Sequence, residues 1–258
     1  MVSHRERILD QFTKQAIPFS SSRAMTDEAS LRLLVELTGA TAKDTVLDVA
    51  CGPGIVVCAF ASLVEHATGI DLTPAMIERG QTLQAGKGLR NVTWRTSDLV
   101  PLPFPDESFS IVTSRYAFHH LLNPQAALSE MQRVCKIGGK VVLIDAMASA
   151  GLEQADAFNR MERLRDPSHV RALTLAEMQE LFEKVGLPGP QMRFYKVDVE
   201  LEGLLRRSFP NERDAEKVRR MVIDSLKNDG MGVNTRREDG GIWFSYPIAV
   251  LMGEKQNN

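Results

Sequence analysis

Two carboxylates and a glycine turn stand at intervals that suit a nucleoside with a cationic end. Asp48 interrupts the apolar run Val46-Leu47-Asp48-Val49-Ala50, which ends in the turn Cys51-Gly52-Pro53-Gly54. Ile55 to Ala61 then has the length and spacing of a helix packed on a sheet. A strand running through glycines into a helix lets backbone N–H groups approach a ligand closely. Asp71 closes the next apolar run, Ala67-Thr68-Gly69-Ile70-Asp71, 17 residues after Gly54. A nucleoside-binding α/β unit places an acid at about this distance to accept from ribose hydroxyls. A nicotinamide dinucleotide site would require Gly-x-Gly-x-x-Gly, and its third position here is Val57. Asp48 would also face the phosphates of such a ligand, whereas it suits a cationic amino-acid end.

A second group could handle protons. His119 and His120 follow the apolar run 110–114, and histidine titrates near neutrality. Either can remove a proton from a hydroxyl or an acidic carbon, or can instead be a hydrogen-bonded packing residue; His119 is preferred as the pocket-facing member. Arg165, His169 and Arg171 occupy a segment outside the regular core and could hold an anionic or phenolic acceptor. Asp166 there could instead pair with Arg163 or Arg171 and shape the segment. Asp145 is another candidate base, with a structural role expected. Phe12, Phe19 and Tyr116 could close over a ligand, although such aromatics are usually core.

These side chains require a scaffold that brings strand ends together. Strand and helix patterns alternate from Thr45 to Asp145, which predicts an α/β fold with a mostly parallel sheet. Residues 3–16 read as a polar helix, broken by Ile17-Pro18-Phe19-Ser20-Ser21-Ser22. Asp27 to Thr38 reads as a second helix, stopped by Gly39. Thr73-Pro74 and Asn123-Pro124 are helix starts, and Thr174-Leu175-Ala176-Glu177 is a capping box. The last strands are expected over 191–198 and 242–253. Segments 146–172 and 199–240 lie outside the alternation. The first leaves a strand at the edge where ligands bind in such sheets. The second carries helical runs over 200–207 and 212–227. Both read as lid or cap insertions.

As a set, Asp48-Val49-Ala50-Cys51-Gly52-Pro53-Gly54, Gly69-Ile70-Asp71-Leu72-Thr73, Ser97-Asp98-Leu99 and Arg133-Val134-Cys135-Lys136-Ile137-Gly138-Gly139 resemble the ordered motifs of class I S-adenosylmethionine-dependent methyltransferases. Leu102-Pro103-Phe104-Pro105-Asp106 with Ala117-Phe118-His119-His120-Leu121 is similar to the ubiquinone/menaquinone-biosynthesis C-methyltransferase group of the methyltransferase type 11 kind. The resemblance spans roughly residues 40–190. It implies a Rossmann-like, seven-stranded, mostly parallel sheet with an antiparallel last strand, helices on both faces, and helical cap insertions. The expected division is an N-terminal helical cap over 1–42, an S-adenosylmethionine-binding core over 43–198 and 241–258, and the two insertions over an acceptor pocket.

The same resemblance implies roles. Ala50, Gly52 and Gly54 should pass the methionine end of S-adenosylmethionine, with Asp48 orienting that loop or meeting the ammonium. Asp71 should take the ribose hydroxyls. Leu72 and Leu99 should flank the adenine, and Asp98 should accept from its amino group. Ser114 or Arg115 should touch the methionine part. Met76 and Ser97 complete the expected donor set. His119 and His120 are the catalytic candidates, and Tyr116, Arg165, His169 and Arg171 the acceptor-side candidates.

Composition narrows the classes further. The chain has 258 residues, enough for one full α/β core with additions. With 31 basic and 33 acidic residues the net charge is −2, which argues against a nucleic-acid surface. An amino-methylating enzyme of nucleic acids would also carry an Asn/Asp-Pro-Pro-Tyr/Phe turn where Ser114-Arg115-Tyr116-Ala117 stands. No apolar run reaches the ~18 residues of a membrane span. Cys51, Cys58 and Cys135 cannot all pair and match no zinc spacing, so no metal site and a reducing, cytoplasmic setting are expected. The expected reaction is methyl transfer to O or C of a small, largely apolar, phenol- or quinol-like acceptor. The expected partners are that small molecule, no nucleic acid and no integral membrane segment, with a homodimer as the possible assembly. A non-catalytic regulator that has kept the donor site is the alternative from another class.

Overall fold

Alternation of buried side chains along each strand sets the layers. In β1 (Thr45–Val49), Val46 faces one apolar cluster while Leu47 and Val49 face another. In β5 (Cys135–Ala146), Val141 and Leu143 join the second cluster and Val142 and Ile144 the first. A strand buried on both faces reads as a continuous apolar run, as these do. The remaining strands are β2 (His66–Asp71), β3 (Val92–Thr96), β4 (Phe109–Arg115), β6 (Gln191–Glu200), β7 (Arg236–Glu238) and β8 (Gly241–Glu254). The computed structural model describes residues 2–21 and 26–257.

The sheet order is β3-β2-β1-β4-β5-β8-β6. The first five strands are parallel, and β8 runs antiparallel to both β5 and β6. The expected seven strands are present. An eighth, the three-residue β7, pairs with the start of β8 beside this path. Strand order reverses at β1, whose neighbours are β2 and β4. That switch point opens a crevice at the C-terminal strand ends.

Helices cover both faces. One face carries α2 (Glu28–Thr38), α3 (Ile55–Ala61) and α4 (Pro74–Gly86), through Leu34, Val56, Phe60 and Ile77. The other carries α5 (Pro124–Val134) and α7 (Leu175–Lys184), through Leu128, Met131, Met178 and Phe182. So α2, expected within the N-terminal cap, belongs to the core layer. The Asn123 side chain caps α5, and the Thr174–Glu177 capping box opens α7. Thr73 sits at the N-cap of α4 without a side-chain cap bond.

A third apolar cluster lies outside the sheet layers. It joins α6 (Leu152–Arg165), α8 (Leu201–Ser208) and α9 (Glu212–Ser225) around Phe158, Met161, Leu205, Val218 and Phe244. The two insertions therefore pack on each other. The first helix, α1 (His4–Ser21), runs through Pro18 instead of stopping at Ile17. Proline removes one helical N–H and would ordinarily break the helix. Side-chain contacts hold the last turn here: within α1 Phe12 meets Phe19 edge-on at 6.1 Å, and from α4 Arg79 donates to Ser20 Oγ at 3.2 Å. Ser22, within the predicted break, lies outside the described residues. Among those residues no helix is long and apolar enough to cross a membrane.

Candidate functional site

A cavity of about 460 Å³ opens at the switch point. Its floor comes from β1 and the glycine loop (Asp48, Ala50, Cys51, Gly52), its sides from Asp71, Leu72, Asp98 and Leu99, and its roof from His4, Arg5, Ile8 and Phe12 of α1. Two residues other than glycine hold left-handed backbone at strand ends here, Ala50 at φ 56° and Tyr116 at φ 59°. Such conformations cost about 1–2 kcal/mol each and persist where the surroundings impose them. They turn the chain sharply off β1 and β4, beside the cavity.

The glycine loop is tied to β2. Asp71 Oδ2 accepts from the Gly52 N–H at 2.9 Å, and Oδ1 accepts from the Thr73 N–H at 2.8 Å. Asp71 thus holds the turn and lines the cavity at once. Burial raises its carboxyl, against the pull of these N–H donors. Gly52, at φ 51°, has open space where a Cβ would stand. Gly54 is different. It does not line the cavity, and a Cβ there would lie 2.3 Å from Trp94 Cη2. The Trp94 indole also presses on Gly69 and Gly80, and its Nε1–H donates to Gln84 Oε1 at 2.7 Å. Gly54 is glycine because a tryptophan of β3 packs against it.

Asp48 is 2% exposed, and its Oδ1 meets no donor from the described residues. Burial pushes its carboxyl up to about 8, against the opposing charge of Arg115. A buried acid of this kind is costly unless a cation or donor meets it. Arg115 and Met76 also line the cavity. Ser97 and Ser114 do not: Ser114 is buried in the sheet opposite Leu143, and the Ser97 N–H donates to Asp71 O at 3.1 Å. Asp98 stays largely exposed at the rim, where Arg5 Nε donates to it at 3.3 Å.

A second cavity of about 110 Å³ shares Phe19, Tyr116 and His120 with the first. It is lined also by His119, Glu162, Arg165, Asp166, His169, Arg207 and Tyr246. The sequence brings these together from β4, the insertions and β8. A short 3₁₀ turn, Phe118–His120, presents the histidine pair. His119 Nδ1 lies 2.5 Å from Asp145 Oδ1, and its backbone N–H donates to Asp145 Oδ2 at 3.0 Å. Burial alone would lower the His119 imidazole, but the adjoining Asp145 carboxylate outweighs it and holds the pKa above the ordinary value. His120 behaves oppositely: burial, then the neighbouring His119, push it down to about 3. Both histidines face the second cavity, and His120 alone of the two also borders the first.

Other predicted acceptor-side residues divide. His169 lines the second cavity and is 5% exposed. Arg165 lines it too, but its guanidinium is committed: Nη2 donates to Glu162 Oε2 at 2.6 Å and Nη1 to Ser208 Oγ at 2.8 Å. Arg171 is not in the site. It donates to Glu177 Oε1 at 2.8 Å on the surface, since the chain after His169 turns outward into the α7 cap. Asp166 accepts from Ser168 rather than pairing with Arg163 or Arg171. Tyr116 lines both cavities, its hydroxyl 2.7 Å from that of Tyr195.

Several site residues escaped the sequence reading. Glu162, which accepts from the Tyr246 hydroxyl at 2.6 Å, lies in a polar helix without any motif. The role of α1 is equally hidden: His4 Nε2 donates to His120 O at 2.7 Å, and Gln11 Nε2 donates to Ser208 O at 2.5 Å. The unexpected polar residues His4, Gln11 and Gln15 on one helical stripe were the only available signal.

Comparison with known proteins places this geometry. A model of the methyltransferase domain matches residues 47–143. The chain is 30% identical over 247 residues to the uncharacterized methyltransferase YcgJ of Bacillus subtilis, spanning 95% of this chain and 98% of that protein. The solved structure of Bacillus subtilis YcgJ superposes with a TM-score of 0.83 at 28% identity, over 89% of this chain and 99% of that one. A shorter similarity, 33% over 118 residues, joins it to the ubiquinone/menaquinone biosynthesis C-methyltransferase UbiE of Shewanella baltica, covering 44% of this chain and 47% of that enzyme.

Proposed function

This chain belongs to the S-adenosylmethionine-dependent methyltransferases, and from that premise we propose that it methylates O or C of a small phenol- or quinol-like acceptor held in the second cavity. The observation that carries the reading is the His119–Asp145 pair, set in a small cavity that shares walls with the donor cavity. The likeness of the domain to a ubiquinone/menaquinone biosynthesis enzyme supports a ring of the quinol kind. A small cavity of about 110 Å³ and the balanced net charge of −2 favour this over a nucleic-acid acceptor.

The donor cavity fits S-adenosylmethionine on two counts. The orphaned Asp48 Oδ1 suits the ammonium of its amino-acid end, and the Gly52 turn leaves room for close backbone approach. Asp71 would take the ribose hydroxyls with its remaining lone pairs, Leu72 and Leu99 would flank the base, and Asp98 at the rim would meet its amino edge. When bound, S-adenosylmethionine supplies a methyl group activated by a sulfonium.

The chain's own residues do the rest. His119 donates its Nδ1–H to Asp145, which leaves Nε2 as the base. Nε2 takes the proton of the acceptor hydroxyl, and the carboxylate of Asp145 stabilises the imidazolium that results. The charge left on oxygen, or on the ring carbon beside it, is the nucleophile. Helix α1 covers the first cavity, and α6 and α8 wall the second, which limits the water that can screen a negative acceptor meeting a positive donor.

Incubation with S-adenosylmethionine and a panel of phenols and quinols, followed by S-adenosylhomocysteine release, tests the reading. Tight S-adenosylhomocysteine binding with no turnover on any member would point instead to a donor-binding regulator.

A further inference from the structure

Hydrogen-bond accounting assigns each histidine of the second cavity a fixed tautomer. Asn159 Nδ2 donates to the carbonyls of Ala155 at 2.9 Å and Ala172 at 3.4 Å. Its Oδ1 therefore accepts, from the Ala172 N–H at 2.7 Å and from His169 Nε2 at 2.8 Å. His169 carries its hydrogen on Nε2, and Nδ1 is a bare lone pair. That Nδ1 is fully buried and no donor among the described residues reaches it. His120 is fixed in the same way. The Ser168 hydroxyl spends its one hydrogen on Asp166 Oδ1 at 2.5 Å, so His120 Nδ1 is the donor in its 3.1 Å bond to Ser168 Oγ.

The acids around the cavity offer no such opening. Glu162 already accepts from Arg165 and from the Tyr246 hydroxyl, and Asp166 from Ser168 and, at 3.4 Å, from Gln15. Among these buried side chains the atom left without a partner is thus His169 Nδ1, an acceptor in search of an O–H or N–H. The ring that carries it neighbours the base: the His119 and His169 rings lie 5.4 Å apart between centroids and are inclined by 35°. Hydrogen bonds of about 2.7–3.0 Å from two adjacent groups on one ring can reach both imidazoles.

We propose that His169 Nδ1 accepts a hydrogen bond from a second O–H or N–H on the acceptor, placed ortho to the hydroxyl that His119 deprotonates, so that the enzyme selects vicinal donor pairs such as a catechol. This rests on the aromatic-acceptor reading above. It also predicts a single methylation. Once one oxygen carries a methyl group, rebinding with the groups exchanged would set an ether lone pair against the lone pair of His169. Leaving a buried acceptor unmet is penalised, and a site built to bond a hydroxyl rejects the analogue lacking it.

The test compares catechol and 2-aminophenol with phenol and 2-methoxyphenol, as kcat/KM with S-adenosylmethionine saturating. Catechol and 2-aminophenol should exceed phenol by about 10- to 100-fold, and 2-methoxyphenol should fall below phenol. His169→Phe should collapse the catechol-to-phenol ratio toward one. Equal rates on phenol and catechol in the wild type, or an unchanged ratio in the variant, would overturn the assignment while leaving the aromatic-acceptor reading intact. If His169→Phe does not fold, calorimetry on wild-type protein saturated with S-adenosylhomocysteine decides: catechol must bind at least tenfold tighter than 2-methoxyphenol. Failure of every aromatic hydroxyl, with the nucleoside still bound, brings down both readings together.

Discussion

Replacing Asp145 by Asn isolates what the carboxylate does for His119. In the folded protein Asp145 receives three donors: His119 Nδ1 at 2.5 Å, the His119 N–H at 3.0 Å and the Ala146 N–H at 2.7 Å. The pair is buried, with side-chain exposures of 13% and 2%, so solvent screens little of the attraction. A hydrogen bond to a charged partner in such a place contributes about 1.5–3 kcal/mol. Wild-type kcat/KM should therefore rise with pH along a limb centred above the ordinary histidine value near 6.5, because the base works only once neutral. In Asp145→Asn that limb should move to lower pH, and the plateau should fall because the amide also accommodates the unproductive tautomer. Stability gives an independent reading. His119 has a raised pKa in the fold, so its contribution is full below the unfolded value and is lost as pH rises through the folded one. The wild type should accordingly lose more of its stability advantage over Asp145→Asn between pH 6 and pH 9 than a distant control variant does. An acid limb that stays put in Asp145→Asn would refute the pairing as the source of the basicity.

Asp48, held up at about 8 while its oxygen is unmet, should lose a proton when a cationic amino-acid end arrives at pH 7. Calorimetry of S-adenosylhomocysteine in buffers of different ionisation enthalpy should show that release, and Asp48→Asn should abolish it while weakening affinity about 10- to 100-fold. Asp71→Ala removes both the ribose acceptor and the tie to the Gly52 N–H, so donor affinity should fall by about 1–3 kcal/mol, measured in the same titration. A Cβ at Gly80 would lie 2.7 Å from Trp94 Cη2, and the indole is pinned by Gln84. Gly80→Ala should destabilise by about 1–3 kcal/mol in urea, and a Trp94→Leu background should remove most of that cost.

Most of the scaffold was legible from residue order. The runs 46–50, 67–71 and 110–114 fall on β1, β2 and β4, because strands buried on both faces are largely apolar, and 92–96 falls on the half-exposed edge strand β3. Short glycine turns and helix caps left little freedom between them, so the strand ends carrying Asp48, Asp71 and Asp98 could be placed at one edge. Local chemistry therefore placed much of the floor and sides of the switch-point cavity, though not its α1 roof. The second cavity was another matter. Its walls come from α1, the 3₁₀ turn, α6, α8 and β8, segments separated by up to two hundred residues and joined by contacts such as Gln11 to Ser208. No periodicity announces that Glu162 meets Tyr246, that Arg171 turns away to Glu177, or that Asn159 dictates which nitrogen of His169 is bare. Helix and strand signals are local and repeat along the chain, whereas a polar network is satisfied across it. Only packing decides which donors find which acceptors, and it was packing that left Nδ1 of His169 without a partner among the described residues.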